Sequence, residues 1–142
     1  MSIHWKKQLQ QNILAILSIL IAVTALSYNS WRNEKSEENR NFRTAGFEIM
    51  RESAHLQYII DTSTYASSED STGAINGWVK VNLILALSEL MTPEIKQQAK
   101  NLKRVWTDNW QLLDTDNHAN KRIWQANQRL IKKVNQYLKS LY

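Results

Sequence analysis

The chain has 142 residues, a formal net charge of +5, three Gly, one Pro and no Cys. Without Cys there are no disulfides, thiolate zinc sites, iron-sulfur clusters or lipid-modified cysteines, and so little Gly and Pro points to helices joined by short turns. The charge is uneven: residues 29–92 hold six Lys or Arg against nine Asp or Glu, net −3, residues 93–142 hold ten against four, net +6, and Lys6 and Lys7 supply +2. Such a split serves first the packing of one half on the other and second an acidic partner.

After a short tail, residues 1–8, the segment Leu9 to Tyr28 is predicted to be a transmembrane helix. Its twenty residues at roughly 1.5 Å rise cover about 30 Å, the depth of a hydrocarbon core. Ile13 to Leu26 contains no charge, Gly or Pro, and its apolar residues go all round the helix. Trp5 at one end and Tyr28 with Trp31 at the other fit the two interfacial aromatic belts. Ser18 and Thr24 are expected to bond to carbonyls of the preceding turn, which makes both compatible with lipid. Ala15, Ser18, Ala22 and Ala25 recur at spacings of three and four, a small-residue stripe for packing against another transmembrane helix. A cleaved secretory signal is the rival, with Lys6 and Lys7 before the apolar run and Val23-Thr24-Ala25 as a cleavage site. An uncleaved signal anchor is preferred because the helical pattern runs on without a break into Trp31. The expected location is the cell membrane, single-pass, read as a signal anchor with the N-terminus inside and the C-terminal domain extracytoplasmic, periplasmic in a Gram-negative envelope; Lys6 and Lys7 on one side and Arg32, Lys35, Arg40 and Arg43 on the other do not set this orientation by count.

The fold class expected beyond the span is all-α: a polar helical stalk over residues 29–41, then a small antiparallel bundle of about four helices over residues 42–142. Phe42, Ile49, Leu56 and Ser63 recur every seven residues, with Gly46, Ser53 and Ile60 four after the first three, a coiled-coil-like seam that lets a neighbour come close. Ser67 to Gly77 is the turn-rich stretch and is predicted to be the longest loop. Val79 to Leu83 alternates like a strand, yet nothing else in the chain offers a strand to pair with, so residues 78–91 are expected to be helical. As a helix this segment is apolar nearly all round, which implies deep burial or a second subunit. Thr92, Pro93 and Glu94 give the N-cap, first turn and dipole partner of a third helix. Ile95, Ala99, Leu102, Trp106, Asn109 and Leu113 follow as its seam. A turn at Asp114 to Asn117 precedes the last helix, with Ile123, Asn127, Leu130, Val134, Tyr137 and Leu141 on the same rhythm. Asn109 and Asn127 on these seams are expected to fix register.

Chemistry is sparse. Glu48, Glu52 and His55 share one side of the first helix, and Glu52-x-x-His55 has the spacing of carboxylate-bridged di-iron bundles, but the second pair such a site needs is missing. A solvated charged face explains the cluster. There is no nucleophile elbow or glycine-rich phosphate loop, and only three His, so no catalytic residue, metal ligand or cofactor is expected and the chain is not expected to be an enzyme. Lys121, Arg122, Arg129, Lys132, Lys133 and Lys139 gather on one side of the last helix, and Lys96, Lys100, Lys103 and Arg104 make a similar face on the third. This is a solvated face or a surface for an acidic protein or anionic lipid, with nucleic acid disfavoured for an external domain. Trp106, Trp110 and Trp124 are the candidate lining of a pocket, or anchors for a partner.

The order of a span followed by a helical bundle resembles, in shape, the membrane-proximal sensor domains of bacterial receptors, although the second span and signalling module of those receptors have no counterpart here. The expected function is a non-catalytic, membrane-anchored helical domain that binds a protein partner or a second copy, as adaptor, scaffold or accessory subunit. A small-molecule or lipid-binding sensor bundle is the alternative.

Overall fold

The computed structural model describes residues 2–65, 72–113 and 115–141, and the side chains of residues 2–7, 9–11, 64, 65 and 72 are outside the description. Four α-helices are present among the described residues, α1 (Ser2–Tyr65), α2 (Thr72–Ser88), α3 (Pro93–Asn109) and α4 (Asn117–Ser140), with a 3-10 turn at Trp110–Leu112 and no strand. The all-α expectation holds. Packing divides the chain into two units, Met1–Asn39 and Arg40–Tyr142.

In the first unit the apolar side chains from Ile13 to Leu26 are exposed on every side of the helix. Within Asn12–Ser63 one 18-residue window reaches a mean hydropathy of 1.9 with none of it buried, which makes this helix long and apolar enough to cross a membrane. Its two hydroxyls are satisfied internally: Ser18 Oγ donates to Leu14 O at 2.8 Å and Thr24 Oγ1 to Leu20 O at 2.8 Å. The expected belt residue Trp5, with Lys6, Lys7, Gln10 and Gln11, lies outside the described side chains. Tyr28 and Trp31 stack at 6.1 Å at the other end of the run. In the polar stretch that follows, Lys35 pairs with Glu38 at 2.9 Å, and that bond and charge hold the ammonium above its ordinary value.

The second unit is a four-helix bundle formed by the part of α1 from Arg40, with α2, α3 and α4. Its core follows the expected seams: Ile49, Leu56 and Ile60 of α1, Ile95, Leu102 and Trp106 of α3, Ile123, Leu130 and Val134 of α4, and Val81 and Ile84 of α2 are buried together. Antiparallel order can be read from contact pairs. Phe42 meets Tyr137 edge-on at 5.7 Å, whereas Ser53 O accepts from Asn127 Nδ2 at 2.9 Å and Gln57 meets Gln128, so α4 runs against α1. Arg122 of α4 bonds to Asn109 at the far end of α3, and Gly77 of α2 faces Trp106 of α3 while Glu89 pairs with Lys96. Each helix therefore opposes its neighbours, as short connections require.

The local signals differ in how they are used. Thr92 is the N-cap of α3 with extended dihedrals, and it acts on Glu94: that carboxyl is held below the ordinary range by its own backbone N–H and by the Thr92 hydroxyl. At α4, Asp116 caps by accepting from the His118 N–H at 2.8 Å. Helix α2 begins at Thr72, so Thr72 to Gly77 belong to a helix and not to the expected loop; residues 67–71 of that loop are outside the description. The reason is tertiary. Gly77 is buried against the Trp106 indole, where a Cβ would come within 2.1 Å of the ring. A residue that reads as loop punctuation is the close-approach point of two helices.

Candidate interaction surface

Helix α2 is almost free of charge: from Thr72 to Ser88 its one ionisable side chain is Lys80. Two sets of residues separate on it. Val81, Ile84 and Ser88 point into the core, while Ile75, Val79 and Leu83 point out and stay 64%, 56% and 40% exposed, with exposed Asn76, Asn82 and Ala86 beside them; Leu90, 62% exposed, follows in the turn after the helix. Spacings of four, four and three from Ile75 through Val79 and Leu83 to Ala86 set these side chains in one line. From Ile75 to Ala86 the stripe is about 17 Å long. Isolated apolar side chains on a surface need no explanation, but an uncharged line of this length does.

Lys80 does not interrupt the stripe because it turns towards α1. Its Nζ sits 2.7 Å from Glu52 Oε2, and the Glu52 residue is only 4% exposed. The hydrogen bond from Lys80 holds the Glu52 carboxyl below the ordinary carboxylate range against the opposing effect of burial, and the charges of Lys80, His55 and Arg51 add to it. Glu52 is thus a buried acid clamped between two helices, which corrects the expectation of a solvated face. Glu48 is the half-buried partner of Arg51, and the exposed His55 lies 3.7 Å from Glu52. Among the described residues no group of three or more His, Asp or Glu is placed to hold a metal ion. The outer line of α1 also exposes Phe47 and Tyr58, but Arg51 stands between them.

The aromatic candidates separate. Trp106 is fully buried, and Trp78 packs edge-on against both Trp106 at 6.3 Å and Trp110 at 6.1 Å. Trp124 stands apart on α4 and is 43% exposed. The groove between α3 and α4 is elsewhere: about 270 Å³, lined by Gln98, Arg129, Lys132, Lys133 and Gln136. Three members of the basic face therefore share one groove. Arg122 is used internally, bonded to Asn109 Oδ1 at 2.7 Å and 3.6 Å from Asp116, while Lys121 and Lys139 are exposed elsewhere on α4.

The seam asparagines are both structural contacts. Asn109 links Val105 O to Arg122, and Asn127 reaches across to the α1 backbone at Ser53. Asn127 Oδ1, Ser53 Oγ and Trp106 Nε1 are buried without a hydrogen-bond partner among the described residues. In the first unit Ala15, Ser18, Ala22 and Ala25 are all exposed along one side of the apolar run. Compared with known protein-family models, curated proteins and solved structures, the chain matches none.

Proposed function

We propose that this chain is a non-catalytic, single-pass membrane protein whose extracytoplasmic helical bundle binds another protein through the outward stripe of α2, as an adaptor, scaffold or accessory subunit. The observation that carries the reading is the stripe itself, a helix-long apolar line in a bundle whose other polar faces are densely charged. Covering such side chains gains roughly 25 cal/mol per Å² of apolar surface, which favours a docked partner over water. The apolar sleeve from Ile13 to Leu26 supports the anchor for the same reason: left in water it exposes a cylinder of large side chains that nothing among the described residues covers.

The test has two parts. A topology reporter after Tyr142 should read outside the cytoplasm, and a mature chain starting near residue 26 and free in solution would overturn the anchor. A photoreactive side chain at Val79 or Leu83 should give a discrete protein adduct in native membranes, absent when the probe is at Thr107 on α3. No adduct from either stripe position overturns the reading. The groove at Gln98, Arg129, Lys132, Lys133 and Gln136 favours a second reading, an anionic ligand or lipid headgroup. A thermal shift with vesicles of acidic lipid, lost on reversing Lys132 and Lys133, would support it.

A further inference from the structure

We propose that the groove between α3 and α4 binds a phosphate monoester, held by Arg129, Lys132 and Lys133 together with the side-chain amides of Gln98 and Gln136; the proposal rests on the anionic-ligand reading of this groove and is independent of the α2 partner. Spacing builds the site. Arg129, Lys132, Lys133 and Gln136 stand at i, i+3, i+4 and i+7, which is one face of α4, and the antiparallel α3 sets Gln98 across from them. The charge gathered there is not spent on the fold. Arg51, Lys80, Lys96, Arg104 and Arg122 each hold an internal hydrogen-bonding or ion-pair partner, whereas among the described residues Arg129, Lys132 and Lys133 hold none. Lys100, Lys103 and Lys121 are likewise unpaired but do not line the groove.

Charge and size select the ligand. The Lys133 charge also reaches Glu94, where it adds to that residue's own backbone N–H and the Thr92 hydroxyl in holding the carboxyl low. Three cations against one acid leave the groove with a net charge of +2. A phosphate monoester carries about −1.5 to −2 near pH 7 with three acceptor oxygens, so it matches that charge and gives the Arg129 fork two oxygens while leaving acceptors for the ammonium and amide groups. A phosphodiester or a carboxylate brings a single negative charge and two free oxygens, and one cation stays unmatched. At about 270 Å³ the groove falls below the roughly 300–1,000 Å³ of sites for drug-sized ligands, so it takes a phosphate group and its first substituent rather than a whole nucleotide. A lipid headgroup such as phosphatidate and a soluble phosphate monoester present the same group to it. Glu94 competes for Lys133, so removing its charge should strengthen binding.

The full chain is melted by circular dichroism in two settings: in detergent micelles with about 10 mM glycerol 3-phosphate against sodium chloride of equal ionic strength, and in phosphatidylcholine vesicles with about 10% phosphatidate or about 20% phosphatidylglycerol, which bring the same nominal charge. The expected result is a rise in thermal midpoint of at least about 3 °C with a monoester and a clearly smaller one with phosphatidylglycerol. A rise with glycerol 3-phosphate assigns a soluble phosphate, and a rise confined to phosphatidate assigns a lipid headgroup. Combining Arg129→Gln, Lys132→Gln and Lys133→Gln should abolish the rise, whereas the same loss of charge at Lys100→Gln, Lys103→Gln and Lys121→Gln should keep it. Lys132→Gln alone, at an exposed side chain, should reduce the rise without moving the unliganded midpoint. Glu94→Gln should enlarge it, and a rise no larger than the parent's overturns the charge match that selects a monoester. An equal rise with phosphatidylglycerol, lost in the groove variants, overturns the monoester and leaves the broader anionic reading standing. No rise in any setting, or one that the groove variants keep, overturns both.

Discussion

Replacing Lys80 by Met tests the buried ion pair that joins α1 to α2. Met keeps most of the aliphatic length but leaves Glu52, 4% exposed, with the Arg51 guanidinium at 3.5 Å and the His55 imidazole at 3.7 Å as its neighbours among the described residues. Removing one partner of a fully buried pair costs about 3–5 kcal/mol, and because the Lys80 side chain is 25% exposed the expected loss is nearer about 2–3 kcal/mol near pH 7. For a bundle of this size that is a drop of about 10–20 °C in the thermal midpoint, measured by circular dichroism of the full chain in detergent micelles. The pH dependence has a definite sign. In the natural chain the Glu52 carboxyl is held low, so its contribution is present above the unfolded value and is lost as pH falls through the folded one. Without Lys80, burial becomes the leading influence and raises the folded value. The penalty then exists at neutral pH and is relieved as pH falls towards the unfolded value. The two melting curves should converge on acidification from about pH 7 to about pH 3. A constant gap across that range, or a variant as stable as the parent at neutral pH, would refute the assignment of Glu52 as a charged, Lys80-dependent buried acid.

The glycines give a graded second test. Gly77→Ala drives a methyl to 2.1 Å from the buried Trp106 ring and should destabilise by about 1–3 kcal/mol despite the better helix propensity of Ala, whereas Gly46→Ala meets only the movable end of Leu138 at 2.8 Å and should be near neutral in urea unfolding. Trp106→Ala should cost about 3–5 kcal/mol and abolish the cooperative transition at moderate temperature, while Trp124→Ala, half in solvent, should shift it by less than about 1 kcal/mol; tryptophan fluorescence during denaturation separates the two.

What was legible in the sequence was whatever a single helix carries in its own periodicity. The seams of α3 and α4 declared themselves at steps of three and four, and Thr92-Pro93-Glu94 marked the start of α3 because capping is a local hydrogen-bonding problem. Val79 to Leu83 was ambiguous for a physical reason: alternation along a helix with one apolar line inside and another outside mimics the period of a strand. Glu52 and Gly77 were misread because each is explained by a residue on another helix, Lys80 and Trp106. No pattern within one segment announces a partner that only the tertiary fold supplies. The α2 stripe was visible as excess apolarity on that helix, but which of its residues faced outward required the bundle.

The antiparallel order has a consequence for biosynthesis. The Asn127 amide that meets the Ser53 carbonyl lies 74 residues downstream of it, and the α4 face that covers Ile49 and Leu56 is among the last to be made. At translation rates of about 5–20 residues per second the apolar edge of α1 waits about 4–15 s for its cover. During that interval the nascent chain presents uncovered leucine and isoleucine to whatever chaperone or neighbouring nascent chain is within reach, so ribosome pausing near α3 should lower the yield of folded protein more than pausing within α1.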